Sequence, residues 1–299
     1  MRITLILSAL AILMLAPPAS AHSGGGGGLS VDLPDHGLPA ACSELRFRTR
    51  RGEIATGEER ISIAPPATGA IRIDAGGRGG VHARGEARSD LELLVCKAAT
   101  GATVEEARTR LARVKVVVDG ATASLEGPSD DGWAAHAFVR APQAGELALT
   151  VKNGPLAVEG IAGRLAIHAA NGPVDLERLG GEATIEASNG PVSLADSSGS
   201  ITLRAQNGPV GIELAGRAWE GAGLTVESTN GPLALELDPA YASGVRVEVR
   251  HGPFACGLSP CGRTVRDGGP GDGRTVELGS GPAKVTVAAT NGPVSIDAR

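Results

Sequence analysis

Six histidines (His22, His36, His82, His136, His168, His251) and four cysteines (Cys42, Cys96, Cys256, Cys261) are the side chains best suited to metal or nucleophilic chemistry. Their spacing suits neither. No histidine pair stands at ligand spacing and no Cys-x2-Cys occurs, so zinc lacks a ready ligand set. A serine hydrolase would display a Gly-x-Ser-x-Gly elbow, which the chain lacks. Glycan cleavage needs carboxylates gathered on one face. Projected outward from the repeats described below, His168, Glu186, Arg204, Glu227 and Glu248 instead form a column of mostly alternating sign, which reads as mutual support on a solvated sheet. The neighbouring column, Ala166, Thr184, Thr202, Thr225, Arg246 and Thr286, reads as β-propensity on an exposed face, interrupted by Arg246. The expectation is a non-enzyme with no cofactor and no metal.

An even number of cysteines in an exported chain points to disulfides. Cys256 and Cys261 flank the turn-rich Gly257–Pro260 segment and are expected to close it, which pairs Cys42 with Cys96. Aromatic residues are scarce, yet Trp219, Tyr241 and Phe254 fall in insertions of three successive repeats, beside Arg217. Brought to one corner they would make a contact for carbohydrate or protein. The competing interpretation is a small satellite core under long loops.

The elements that position these residues follow from composition and period. The chain has 299 residues with 44 Gly and 19 Pro, but no Gly-X-Y period, which excludes collagen. A formal charge of -5 without clustered Lys or Arg argues against nucleic acid. Residues 1–21, with Arg2, an apolar run from Ile3 to Leu15 and Ala19-Ser20-Ala21, form a signal peptide, leaving no transmembrane segment after cleavage. A Gly-rich tether is expected over 22–40. Residues 41–150 read as a β-rich cap with one helix over 103–113, where Thr103 caps and Glu105 and Glu106 occupy the first turn.

From 151 to 299 the signal is a repeat. Asn-Gly-Pro recurs at Asn153, Asn171, Asn189 and Asn207 at intervals of 18, then at Asn230 and Asn291, with a variant at His251. Apolar residues alternate on both sides of each Asn, such as Leu165/Ile167/Ala169 before Asn171 and Val174/Leu176 after it. Each unit therefore supplies two strands with one face inward. The architecture expected is all-β: a parallel, right-handed β-solenoid with two main strands per coil of about 18 residues, each strand pairing with its counterpart one coil away, and insertions at 216–221, 238–243 and 254–279. The asparagines would stack as a turn ladder.

The run from Asn153 to Pro173 and its continuation through Asn189 and Asn207 resembles a family of bacterial β-strand-repeat solenoids provisionally named adhesins, a domain of unknown function with auto-transporter-adhesin-like members. The resemblance extends from Ile71 onward. Family members carry Asn-Gly-Asp or Asn-Gly-Asn where this chain has Asn-Gly-Pro, and the resemblance brings no catalytic residue with it. It implies an exported cell-envelope or secreted scaffold in the periplasm, on the cell surface or outside the cell, binding a glycan or an envelope protein. A polysaccharide-acting β-helix enzyme and a self-assembling surface or coat protein are the alternatives.

Overall fold

The structure is a computed structural model and describes residues 29–32, 38–259, 261, 265–267 and 273–299. The expected signal segment, most of the tether, His22 and His36 lie outside the described residues. The chain opens with β1 (Leu29–Asp32), β2 (Arg46–Thr49), β3 (Glu53–Ile63), β4 (Ile71–Asp74), β5 (Val81–Glu86) and β6 (Leu91–Gly101). Helix α1 (Val104–Leu111) precedes β7 (Lys115–Asp119), β8 (Thr122–Glu126) and β9 (Trp133–Pro142). The Thr103 hydroxyl accepts from the Glu106 amide at 3.2 Å, and the Glu106 carboxylate accepts from the Ala102 amide at 2.8 Å, a reciprocal cap that fixes the helix start.

Strand pairs then repeat: β10 (Glu146–Asn153) with β11 (Leu156–Glu159), β12 (Arg164–Asn171) with β13 (Val174–Glu177), and β14 (Glu182–Asn189) with β15 (Val192–Ala195). They continue as β16 (Ser200–Asn207) with β17 (Val210–Glu213), β18 (Gly223–Asn230) with β19 (Leu233–Leu237), and β20 (Ser243–His251) with β21 (Phe254–Cys256). After β22 (Val265–Asp267) and β23 (Arg274–Leu278) comes a final pair, β24 (Ser280–Asn291) with β25 (Val294–Ala298).

The first strand of each pair enters a 12-stranded sheet and the second an 11-stranded sheet. From β10 to β17 the pairing is parallel at a constant offset, Leu147 to Leu165 to Ala183 to Ile201 in one sheet and Leu156 to Val174 to Val192 to Val210 in the other. The inward residues of both sheets form one continuous core from Ile63 to Ile296. The expected division at 150/151 falls inside β10, and the core runs through it. At the corners the chain closes on itself without room for a side chain. Gly172 sits at φ 133°, where a Cβ would stand 2.2 Å from the Gly154 carbonyl oxygen.

The order of pairs departs from chain order at both ends. Strands β4 and β5 lie between β8/β9 and β10/β11, and β24/β25 lie between β18/β19 and β20/β21. The expectation that each coil lies beside its chain neighbour therefore fails there. The physical reason is edge protection: β20, displaced outward, is covered on its far side by antiparallel β23, and β8 is covered by antiparallel β7. A second, smaller core of Val31, Leu45, Leu94, Cys96 and Phe138 forms where the β1–β2 segment packs outside the 11-stranded sheet.

Candidate functional site

The Asn-Gly-Pro corners build one continuous feature. Asn171, Asn189, Asn207, Asn230 and Asn291 each donate a side-chain amide to Oδ1 of the previous asparagine at 2.9–3.0 Å, and Asn153 donates to the Gly77 carbonyl at 2.9 Å. Each corner amide from Asn153 to Asn230 thus acts as donor and acceptor on an exposed edge, a geometry that stiffens the corner.

The corner expected to present aromatics turns them inward. Trp219 and Tyr241 are each 6% exposed and belong to the main core. The Trp219 indole donates to the Gly199 carbonyl at 3.0 Å, and its backbone amide donates to Ser243 Oγ at 2.9 Å. Burial pushes the Tyr241 phenol up to about 12. The insertions at 216–221 and 238–243 bond to each other through Ala242 N–H to the Arg217 carbonyl at 2.7 Å, and Ser280 N–H donates to the Ala242 carbonyl at 3.0 Å. They seal the stack where β24 enters it, which is why their aromatics face inward. What reaches solvent is Arg217, held near Asp238 at 3.3 Å, and part of Phe254, over which the Arg274 guanidinium lies 5.6 Å from the ring centre.

Cysteines 42 and 96 are bonded to each other, as are 256 and 261. The first bond ties the small outer core to β6, and both suit an oxidising, exported setting. No group of three or more His, Cys, Asp or Glu among the described residues could hold a metal ion.

On the 12-stranded face, His168 Nδ1 lies 3.1 Å from Glu186 and Arg204 lies 3.0 Å from Glu227. Glu248 is not next in that column, because Ala288 of the inserted β24 separates it from Glu227. The same insertion makes the threonine column unbroken: Thr184, Thr202, Thr225 and Thr286 are adjacent, and Arg246, expected to interrupt them, stands beyond Thr286.

The 11-stranded face carries the feature that sequence reading passed over. Ala157, Asp175, Ser193, Gly211, Ala234 and Ser295 occupy one register row, a flat strip of small side chains. One flank is a row of prolines from Pro173 to Pro293, stepped by the amide-to-carbonyl bonds that link successive coils. The other flank is acidic: Glu159, Glu177, Glu213, Glu236 and Asp297, braced by Arg84, Arg178 and Arg299. Burial, with Glu213 and Asp297 alongside, pushes Glu236 up. The positions four and six residues after each Asn were legible as outward; the small side chains at the first of them simply suggested no chemistry. Also unassigned from sequence were His82 and His136, which stand 6.3 Å apart at the cap end, His82 stacked on Phe138 at 5.2 Å.

No family model matches the chain, and no curated protein matches it. Among solved structures, it is similar to a protein provisionally named for cell adhesion from Clostridium sporogenes, with 11% identity, a TM-score of 0.29, and coverage of 82% of this chain and 100% of that one. A provisionally named adhesin from Bacteroides fragilis shares 10% identity at a TM-score of 0.30, covering 83% and 97%. A provisionally named lipid-binding protein from Parabacteroides distasonis shares 9% identity at a TM-score of 0.40, covering 81% and 96%.

Proposed function

We propose that the chain is an exported, non-enzymatic β-solenoid scaffold of adhesin type, whose flat strip from Ala157 to Ser295 contacts a glycan or protein of the cell envelope. The observation that carries this is the strip itself. It spans six successive strands at a spacing of about 4.8 Å, so it offers a straight, unobstructed bed on the order of 25 Å long. On its carboxylate flank Glu159, Glu177 and Glu213 are paired with arginines, which steadies those charges beside the bed. A bed without a cleft suits contact with an extended polymer rather than enclosure of a small substrate.

The test is binding of the full chain to immobilised envelope polysaccharides and envelope proteins, compared with Ser193→Trp, which places a bulky ring in mid-strip on an outward position. Loss of binding with an unchanged melting temperature supports the proposal; equal binding by both proteins overturns it. New reducing ends released from a polysaccharide would favour the polysaccharide-acting enzyme instead. Trp219→Ala should lower stability by about 3–5 kcal/mol, as expected for a buried aromatic, and leave binding by folded protein intact.

A further inference from the structure

Strand β7 ends the 12-stranded sheet, pairing antiparallel with β8 on one flank and with no described strand on the other. Its sequence is Lys115-Val116-Val117-Val118-Asp119, and Val117 and Val118 are 41% and 44% exposed. Val116 and Val118 stand opposite Leu125 and Ala123, both buried, and Val116 packs on the main core. The inner face of β7 is therefore the uncovered end of that core.

An apolar edge invites a further strand, and charges at its ends ordinarily deter one. Here the two terminal charges are of opposite sign and equidistant from Val117. Turned antiparallel onto a second copy of itself about Val117, the strand sets Lys115 against Asp119 of the second copy, and Val116 against Val118, twice over by symmetry. Opposite charges directly across an antiparallel pair stabilise it and like charges destabilise it.

We propose that the β7 edge is a self-complementary interface through which two copies of this chain join end to end, their 12-stranded sheets continuing into one another. The contact is isologous: each copy presents the same five residues, and the four inner valines extend the core across the join. The pattern specifies its partner, since any antiparallel strand laid on this edge would need the same order, a basic residue four positions before an acidic one, at the same register.

Sedimentation equilibrium of the full chain over a wide concentration range tests this. Wild type should form a dimer. Lys115→Asp sets Asp against Asp, and Asp119→Lys sets Lys against Lys, so each alone should weaken the dimer by roughly tenfold or more. The double variant K115D/D119K restores opposite charges and should recover it, and an equimolar mixture of the two single variants should form a heterodimer. These positions are exposed, so folding can be checked by equal melting temperatures. A wild type that stays monomeric throughout overturns the proposal, as does a dimer indifferent to the single reversals.

Discussion

Asn291 donates its side-chain amide to Oδ1 of Asn230 at 3.0 Å across 61 residues of sequence, while the intervening His251-Gly252-Pro253 corner lies beyond Asn291. Six asparagines are contiguous in space because the corner that lacks one sits at the end of the row. An interior member such as Asn207 donates to Asn189 and accepts from Asn230. Asn207→Ala should cost about 1–2 kcal/mol in urea unfolding. Asn207→Asp should cost more at neutral pH, because a carboxylate cannot donate to Asn189, and should recover part of the loss on acidification.

Gly279 is the step by which the chain passes from β23, on one side of β20, to β24 on the other. It has φ 71°, and a Cβ there would lie 2.0 Å from the Ser243 carbonyl oxygen. Gly281 has φ 79° but open space around it. Gly281→Ala should therefore cost only the conformational penalty, about 1 kcal/mol, whereas Gly279→Ala should cost several times more by displacing backbone. Equal melting temperatures for the two variants would contradict this crossing.

His136 is fully buried, and burial, with His82 nearby, holds it down at about 3; burial holds His82 at about 4. Both lie below the ordinary value of 6.5, so the unfolded chain binds more protons as pH falls. Their contribution is complete above pH 6.5 and is lost as pH drops toward 4 and then 3, at up to about 1.4 kcal/mol per pH unit for each. The drop in urea midpoint between pH 7 and pH 5 should be roughly halved in His136→Phe, where His82 still resists protonation, relative to wild type.

The two disulfides close loops of very different length, with sequence separations of 54 and 5. By loop-closure entropy, replacing Cys42 and Cys96 by Ala should cost about 4 kcal/mol, and replacing Cys256 and Cys261 about 2. Thermal unfolding of the two double variants should rank them in that order.

The repeat was legible because period and register are local: an interval of 18 between Asn153 and Asn171 sets Leu147 beside Leu165 without further information. Which coil neighbours which at the ends was not, because every coil offers the same ladder to any other. The traces were Arg246 and His251, substitutions at column positions that mark β20 as the end of the parallel run although more of the repeat follows it. Residue types left open whether Trp219 and Tyr241 face a partner or a core, because an insertion's orientation depends on what lies beneath it, here the entry of β24. The flat strip and the charge symmetry of β7 were written in plain residue types, but their meaning needed the sheet edges.

Stacked repeats commonly fray from their terminal units, since an end unit has one neighbour and can peel away alone. In this fold β24/β25 are gripped from both sides, as are β4/β5. Peeling β20/β21 requires freeing them from β23 as well as β24. Release of either displaced pair is thus a concerted loss of several ladders at once rather than a stepwise unravelling. For a protein working outside the cytoplasm, without ATP-driven refolding, that coupling would slow exposure of cleavable backbone and lengthen its lifetime among proteases.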